Sequence, residues 1–130
     1  MPEVHVSAVV LRNKSGEVLL VRKRGTKMWM NPGGKPWPGE SARACAIREI
    51  TEELGLELDA DRLVFLGEFE APAANEPGFR VVANVFVWPD PVPEDTGPHA
   101  EISEVRWNDM SDLSDETLSP LLVQKIYPLL

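Results

Sequence analysis

A chain of 130 residues, 43% hydrophobic and 26% charged, is long enough for one core that buries roughly two thirds of the unfolded chain's surface, and the composition excludes disorder over most of its length. The formal net charge of −8 argues against a surface built for nucleic acid or anionic membranes, both of which need a basic patch. A polyanionic small molecule stays compatible, given metal ions and a few local cations.

From the N-terminus, residues 4–11 are rich in β-branched side chains and residues 18–21 form a second apolar run. Asn13-Lys14-Ser15-Gly16 between them predicts a tight turn joining two strands. Residues 22–39 read as loop, with a short extended piece around 28–31, because three prolines and three glycines within residues 32–39 exclude a regular helix. Ser41 suits the N-cap of a helix that runs to Leu54 and stops at Gly55, with Ile47, Ile50 and Leu54 as its buried stripe. Residues 62–70 and 79–88 read as strands around a loop at 71–78, and residues 89–98 as an acidic, proline-rich connection. Residues 104–107 predict a short last strand and residues 114–127 a closing helix that contains Pro120. Trp88 and Trp107 are expected in the core. One mixed α/β domain over residues 1–130 is the economical reading.

Cys45 is the single cysteine and reads as a small buried residue; no intrachain disulfide is available, which points to a reducing compartment. Together with the lack of a leader-like segment or an apolar run near 18 residues, this sets a cytoplasmic location and no membrane partner as the expectation.

The helix carries an energetic oddity. Glu49, Glu52 and Glu53 stand at i, i+3 and i+4, where like charges repel by a few tenths of a kcal/mol per pair. They also lie near the helix C-terminus, where the dipole disfavours anions. A bound divalent cation would reverse both penalties, so the three carboxylates are candidate metal ligands. Read backwards from them, the spacing is Gly34, five residues, Glu40, seven residues, Arg48-Glu49-Ile50, then Glu52-Glu53 and Gly55-Leu56.

This arrangement resembles the signature of the Nudix hydrolase family, whose members cleave nucleoside diphosphates linked to another group. The opening strands, Pro32-Gly33-Gly34-Lys35 and a downstream glutamate before 104–107 extend the likeness over most of the chain. The resemblance implies an α/β/α sandwich with a mixed sheet, a catalytic helix and a C-terminal helix. It further implies Mg²⁺, with Mn²⁺ as a substitute, held by Glu49, Glu52 and Glu53, by the Gly34 carbonyl and by Glu101 from a loop. Arg48 would orient a neighbouring carboxylate, Glu40 would support the site, and Glu53 or Glu101 would take the proton of the attacking water. One neighbouring position departs from the common pattern: relatives often carry an acidic residue where this chain has Trp37.

Arg22, Lys23, Arg24 and Lys35 form the only basic concentration, on loops flanking the box, and Arg22 and Lys35 are best placed to meet phosphate. Trp29, Trp37 and Phe79 are loop-associated aromatics able to stack on a base. The implied partner is a small nucleotide, and homodimers are frequent among similar proteins. The leading expectation is a nucleotide-pool cleaner acting on ordinary or oxidised nucleoside triphosphates. Pro72, sixteen residues past Leu56, keeps an ADP-ribose-type activity open as an alternative. A non-catalytic nucleotide-sensing module is the alternative from another class, disfavoured because the glutamates of the box are all present.

Overall fold

The structure, a computed structural model, describes residues 2–130. Strands β1 (Glu3–Arg12) and β2 (Val18–Lys23) are apolar on both sides. Their alternation sends Ala8, Val10, Val18 and Leu20 to one face of the sheet, and Val9, Leu11, Leu19 and Val21 to the other. A sheet apolar on both faces must be covered twice. Helix α1 (Ala42–Leu54) covers the second set with Ala46, Ile50 and Leu54, while Leu118, Leu121, Leu122 and Ile126 near the C-terminus cover the first. The architecture is therefore mixed α/β, with a sheet between two helical layers.

The sheet has six strands, five of them in the order β4-β5-β1-β2-β6. The short β3 (Gly33–Gly34) pairs with β1. β5 (Arg80–Pro91) runs parallel to β1, β4 (Val64–Pro72) is antiparallel to β5, and β6 (Ile102–Asn108) is antiparallel to β2.

The expected turn closes β1 onto β2: the Gly16 N–H donates to the Asn13 carbonyl at 3.0 Å. The ladder between the two strands is brief, with Arg12 opposite Val18, after which they fork. Residues 30–34 fill the fork. Met30 pairs with Val21, the Val9 N–H donates to the Pro32 carbonyl at 3.0 Å, and Gly33 and Gly34 lie opposite Ala8 and Ser7. A Cβ on Gly33 would fall 1.9 Å from the Ser7 carbonyl oxygen, so this close approach of two backbones requires glycine.

Three sequence expectations need correction. β5 continues through Pro89 to Pro91, so the acidic connection begins later than residue 89. The strand expected from residue 62 starts at Val64, because Asp59 caps a short 3₁₀ turn over Ala60–Arg62. The closing helix from 114 does not form. Asp109, Asp112 and Asp115 each accept the backbone N–H two residues on, from Ser111, Ser114 and Thr117. These local bonds compete with helix formation, and Ser119 precedes a proline, which disfavours helical geometry there. Helical structure begins only at Pro120 and continues as a π turn (Leu122–Ile126) and a 3₁₀ turn (Tyr127–Leu129).

Candidate metal and nucleotide site

α1 begins where the sequence predicts. The Ser41 hydroxyl accepts the Ala44 N–H at 3.1 Å, and Gly55, with φ of 69°, ends the helix by donating to the Thr51 carbonyl. The charged side of the helix is not a solvent face, however. Glu49 and Glu53 are both buried, Glu53 to 1% exposure, while Ile47 is only half-buried. The two glutamates turn toward β3. A Cβ on Gly34 would lie 2.4 Å from the Glu49 carboxyl carbon, so glycine at that position makes room for the carboxylate.

One oxygen of Glu53 accepts the Gly33 N–H at 3.0 Å; the other, Oε2, is buried and has no hydrogen-bond partner among the described residues. Burial pushes this carboxyl up to about 8, opposed by the Gly33 N–H and reinforced by the neighbouring charges of Glu49 and Glu101. Glu49 is also raised, again chiefly by burial, with Arg48 pulling the other way.

Glu101 arrives from the loop before β6. The His99 N–H donates to the Glu53 backbone carbonyl at 2.8 Å, and the Arg24 N–H donates to the Glu101 carbonyl at 2.8 Å, which ties the loop to α1 on one side and to the end of β2 on the other. Ala100 sits in the left-handed region, with φ of 55°. Glu49, Glu53 and Glu101 each offer a carboxylate oxygen, and these atoms lie within 4.8 Å of one another.

Three carboxylates gathered at one point, one with an orphaned buried oxygen, repel each other unless a cation or protons intervene. Hard oxygen donors of this kind suit Mg²⁺ or Mn²⁺. Glu52 is not brought to this point: its carboxylate is half-exposed and pairs with Arg48 at 3.3 Å. The Gly34 carbonyl receives a weak contact from the Cys45 thiol, at 3.4 Å.

Arg48 lies beside the cluster. It grips Glu40 with two bonds, Nε to Oε2 at 2.9 Å and Nη2 to Oε1 at 2.8 Å, and donates from Nη1 to Glu49 at 2.9 Å. The guanidinium holds the Glu40 carboxyl down at about 2.

A cleft of about 190 Å³ adjoins Gly33 and Gly34. Its walls are mainly apolar, from Val4, Val6, Ala8 and Val81, with Lys23, Lys35 and Asn31 among its polar lining. Asn31 is buried, and neither its amide nitrogen nor its oxygen has a partner among the described residues. Lys23 stands 3.8 Å from Glu101, and Lys35 stands 3.8 Å from Glu76 on the facing loop.

Of the substrate-contact expectations, Lys35 lines the cleft and four others do not. Arg22 pairs with Glu104 and stacks on Trp29, on the face away from α1. Trp29 is 9% exposed in the core beneath the C-terminal segment. Phe79 lies beyond the cleft, its carbonyl accepting the Ala73 N–H. Trp37 lies over Arg48. Lys23 belongs to the basic group read from the sequence but was not preferred there for phosphate, and Asn31 was not singled out. Strand alternation was the available signal for Lys23: carried two residues past Val21, it puts Lys23 on the face that receives α1 and Arg22 on the other.

Residues 1–130 match the family model of the NUDIX domain. The chain is 47% identical over 47 residues to a putative 8-oxo-dGTP diphosphatase of Bacillus subtilis (strain 168), an alignment covering 36% of this chain and 32% of that protein. It is 32% identical over 115 residues to an isopentenyl-diphosphate Delta-isomerase of Cereibacter sphaeroides (strain ATCC 17029 / ATH 2.4.9), covering 78% of this chain and 62% of the isomerase. The chain thus spans less than two thirds of the length of these curated relatives. Among solved structures, the MutT protein of Methanosarcina mazei Go1 superposes with a TM-score of 0.72 at 28% identity, over 91% of this chain and 86% of that one.

Proposed function

Because this chain belongs to the NUDIX domain family, we propose that it hydrolyses a diphosphate linkage in a nucleoside di- or triphosphate or a related nucleotide. The observation that carries the reading is the convergence of Glu49, Glu53 and Glu101 beside a cleft that is apolar along one wall and flanked by two lysines. When bound, a divalent cation would supply charge neutralisation and Lewis acidity at the phosphates.

The chain's own residues do the rest. Glu49 and Glu53 hold the cation from the rigid helix. Glu101, the exposed member of the three, accepts the proton of the attacking water from the solvent side. Lys23 and Lys35 meet the phosphates, and the apolar wall of the cleft receives the base, with Asn31 offering a donor and an acceptor to its edge. Arg48 fixes the orientation of Glu49. The buried free thiol of Cys45 suits a reducing, cytoplasmic setting.

An oxidised or ordinary nucleoside triphosphate is the favoured substrate, in keeping with the name of the Bacillus subtilis relative. The test is product release from a panel containing dNTPs, 8-oxo-dGTP, ADP-ribose and isopentenyl diphosphate, with Mg²⁺ or with a chelator. We expect Mg²⁺-dependent hydrolysis of a nucleoside triphosphate, with ¹⁸O from labelled water entering one product. Binding of nucleotides with no turnover under Mg²⁺ or Mn²⁺ would replace this reading with a sensing module.

A further inference from the structure

We propose that Trp37 is a positioning residue, whose indole clamps the Arg48 guanidinium so that Glu49 stays oriented, with Glu53 and Glu101, toward the cation site. A guanidinium has five N–H donors, all in its plane. In Arg48 all five are directed. Nε and one hydrogen of Nη2 go to Glu40, the other hydrogen of Nη2 goes to the Lys35 carbonyl at 3.1 Å, and Nη1 serves Glu49 and Glu52 at 2.9 and 3.3 Å.

Such a set resists sliding within the plane. It resists tilting out of the plane least. Trp37 occupies that soft direction, with its ring centroid 3.9 Å from the Arg48 Cζ. Core packing does not explain the placement, because Trp37 is 59% exposed. The clamp and its target share an anchor: the Trp37 N–H donates to Glu40 Oε1 at 3.0 Å, and the Glu40 N–H donates back to the Trp37 carbonyl at 2.9 Å. A carboxylate at residue 37 would find no free donor on this guanidinium, so the stack uses the one contact still open to it.

The positioning role rests on the reading that Glu49 serves a cation; the clamp itself does not. The variants are Trp37→Ala, Trp37→Phe and Trp37→Glu. The readouts are solvent exchange of the Arg48 Nε–H by NMR, Mn²⁺ affinity by calorimetry, and kcat and KM on the substrate that the panel above identifies. For Trp37→Ala we expect faster Nε–H exchange and an about 3- to 30-fold loss in Mn²⁺ affinity and in kcat, the range a stacked cation supplies, with KM moving less than about twofold. Trp37→Phe should recover most of each loss and Trp37→Glu none. Unchanged exchange and Mn²⁺ affinity in Trp37→Ala would overturn the proposal, as would failed rescue by phenylalanine or a change confined to KM. Failure of the hydrolase reading would appear separately, as wild-type protein that turns over nothing while exchange and Mn²⁺ binding still report on the clamp.

Discussion

Replacing Glu53 by glutamine should make the metal-free protein more stable near neutral pH, by an amount that grows with pH. In the native state the buried carboxyl keeps its proton up to about 8, against an ordinary value of 4.5. Between those two values the native state binds more protons than the unfolded chain, so stability falls as pH rises through the interval. At about 1.36 kcal/mol per pH unit, the gap from 4.5 to about 8 amounts to about 5 kcal/mol when complete, and about 3 kcal/mol at pH 7. Glutamine does not titrate, and its oxygen still accepts the Gly33 N–H. Urea unfolding of both proteins in chelator from pH 5 to pH 8.5 measures the difference, and the net charge of −8, nearly common to both, largely cancels. We expect the Glu53→Gln advantage to widen by about 2 to 3 kcal/mol between pH 5 and pH 7. Saturating Mg²⁺ should nearly cancel the advantage at pH 7, since a cation at a hundred times its dissociation constant adds about 2.7 kcal/mol to the protein that binds it. A stability difference independent of pH would refute the reasoning.

The same geometry separates the other helix carboxylates. Glu49→Gln should lower kcat by about two orders of magnitude, roughly 3 kcal/mol of transition-state stabilisation, whereas Glu52→Gln, which loses only the 3.3 Å pair with Arg48, should stay within about threefold in steady-state kinetics. Asn31→Leu should leave the free protein as stable or more stable by thermal unfolding, because it removes a buried amide with no partner, worth about 1–3 kcal/mol, while raising KM for the nucleotide about tenfold.

How much of this could be read in the sequence differs from element to element. The span of α1 is set by local chemistry, an N-capping hydroxyl at Ser41 and a stop at Gly55, and the helix has those ends. The family resemblance put Gly34 and Glu49 at one site, and loop and helix meet closely at these two residues. The burial of Glu49 and Glu53 was hidden, because a helical pattern assigns charge to solvent, and only the forking of β1 from β2 brings Gly33 and Gly34 over that side. The cleft was hidden for a related reason: Val4, Lys23, Asn31 and Val81 come together through long-range pairing. At residues 114–119 the helical pattern was misleading, since the Asp-X-Ser/Thr spacing repeated from Asp109 takes up backbone donors there instead.

The most direct test of the cation site is anomalous diffraction from crystals soaked in Mn²⁺. The account predicts a peak bounded by the Glu49, Glu53 and Glu101 carboxylates, within about 2.5 Å of at least two of them, and its loss in Glu53→Gln. A peak on Glu52 with none between those three, or no peak at all at saturating Mn²⁺, would contradict it.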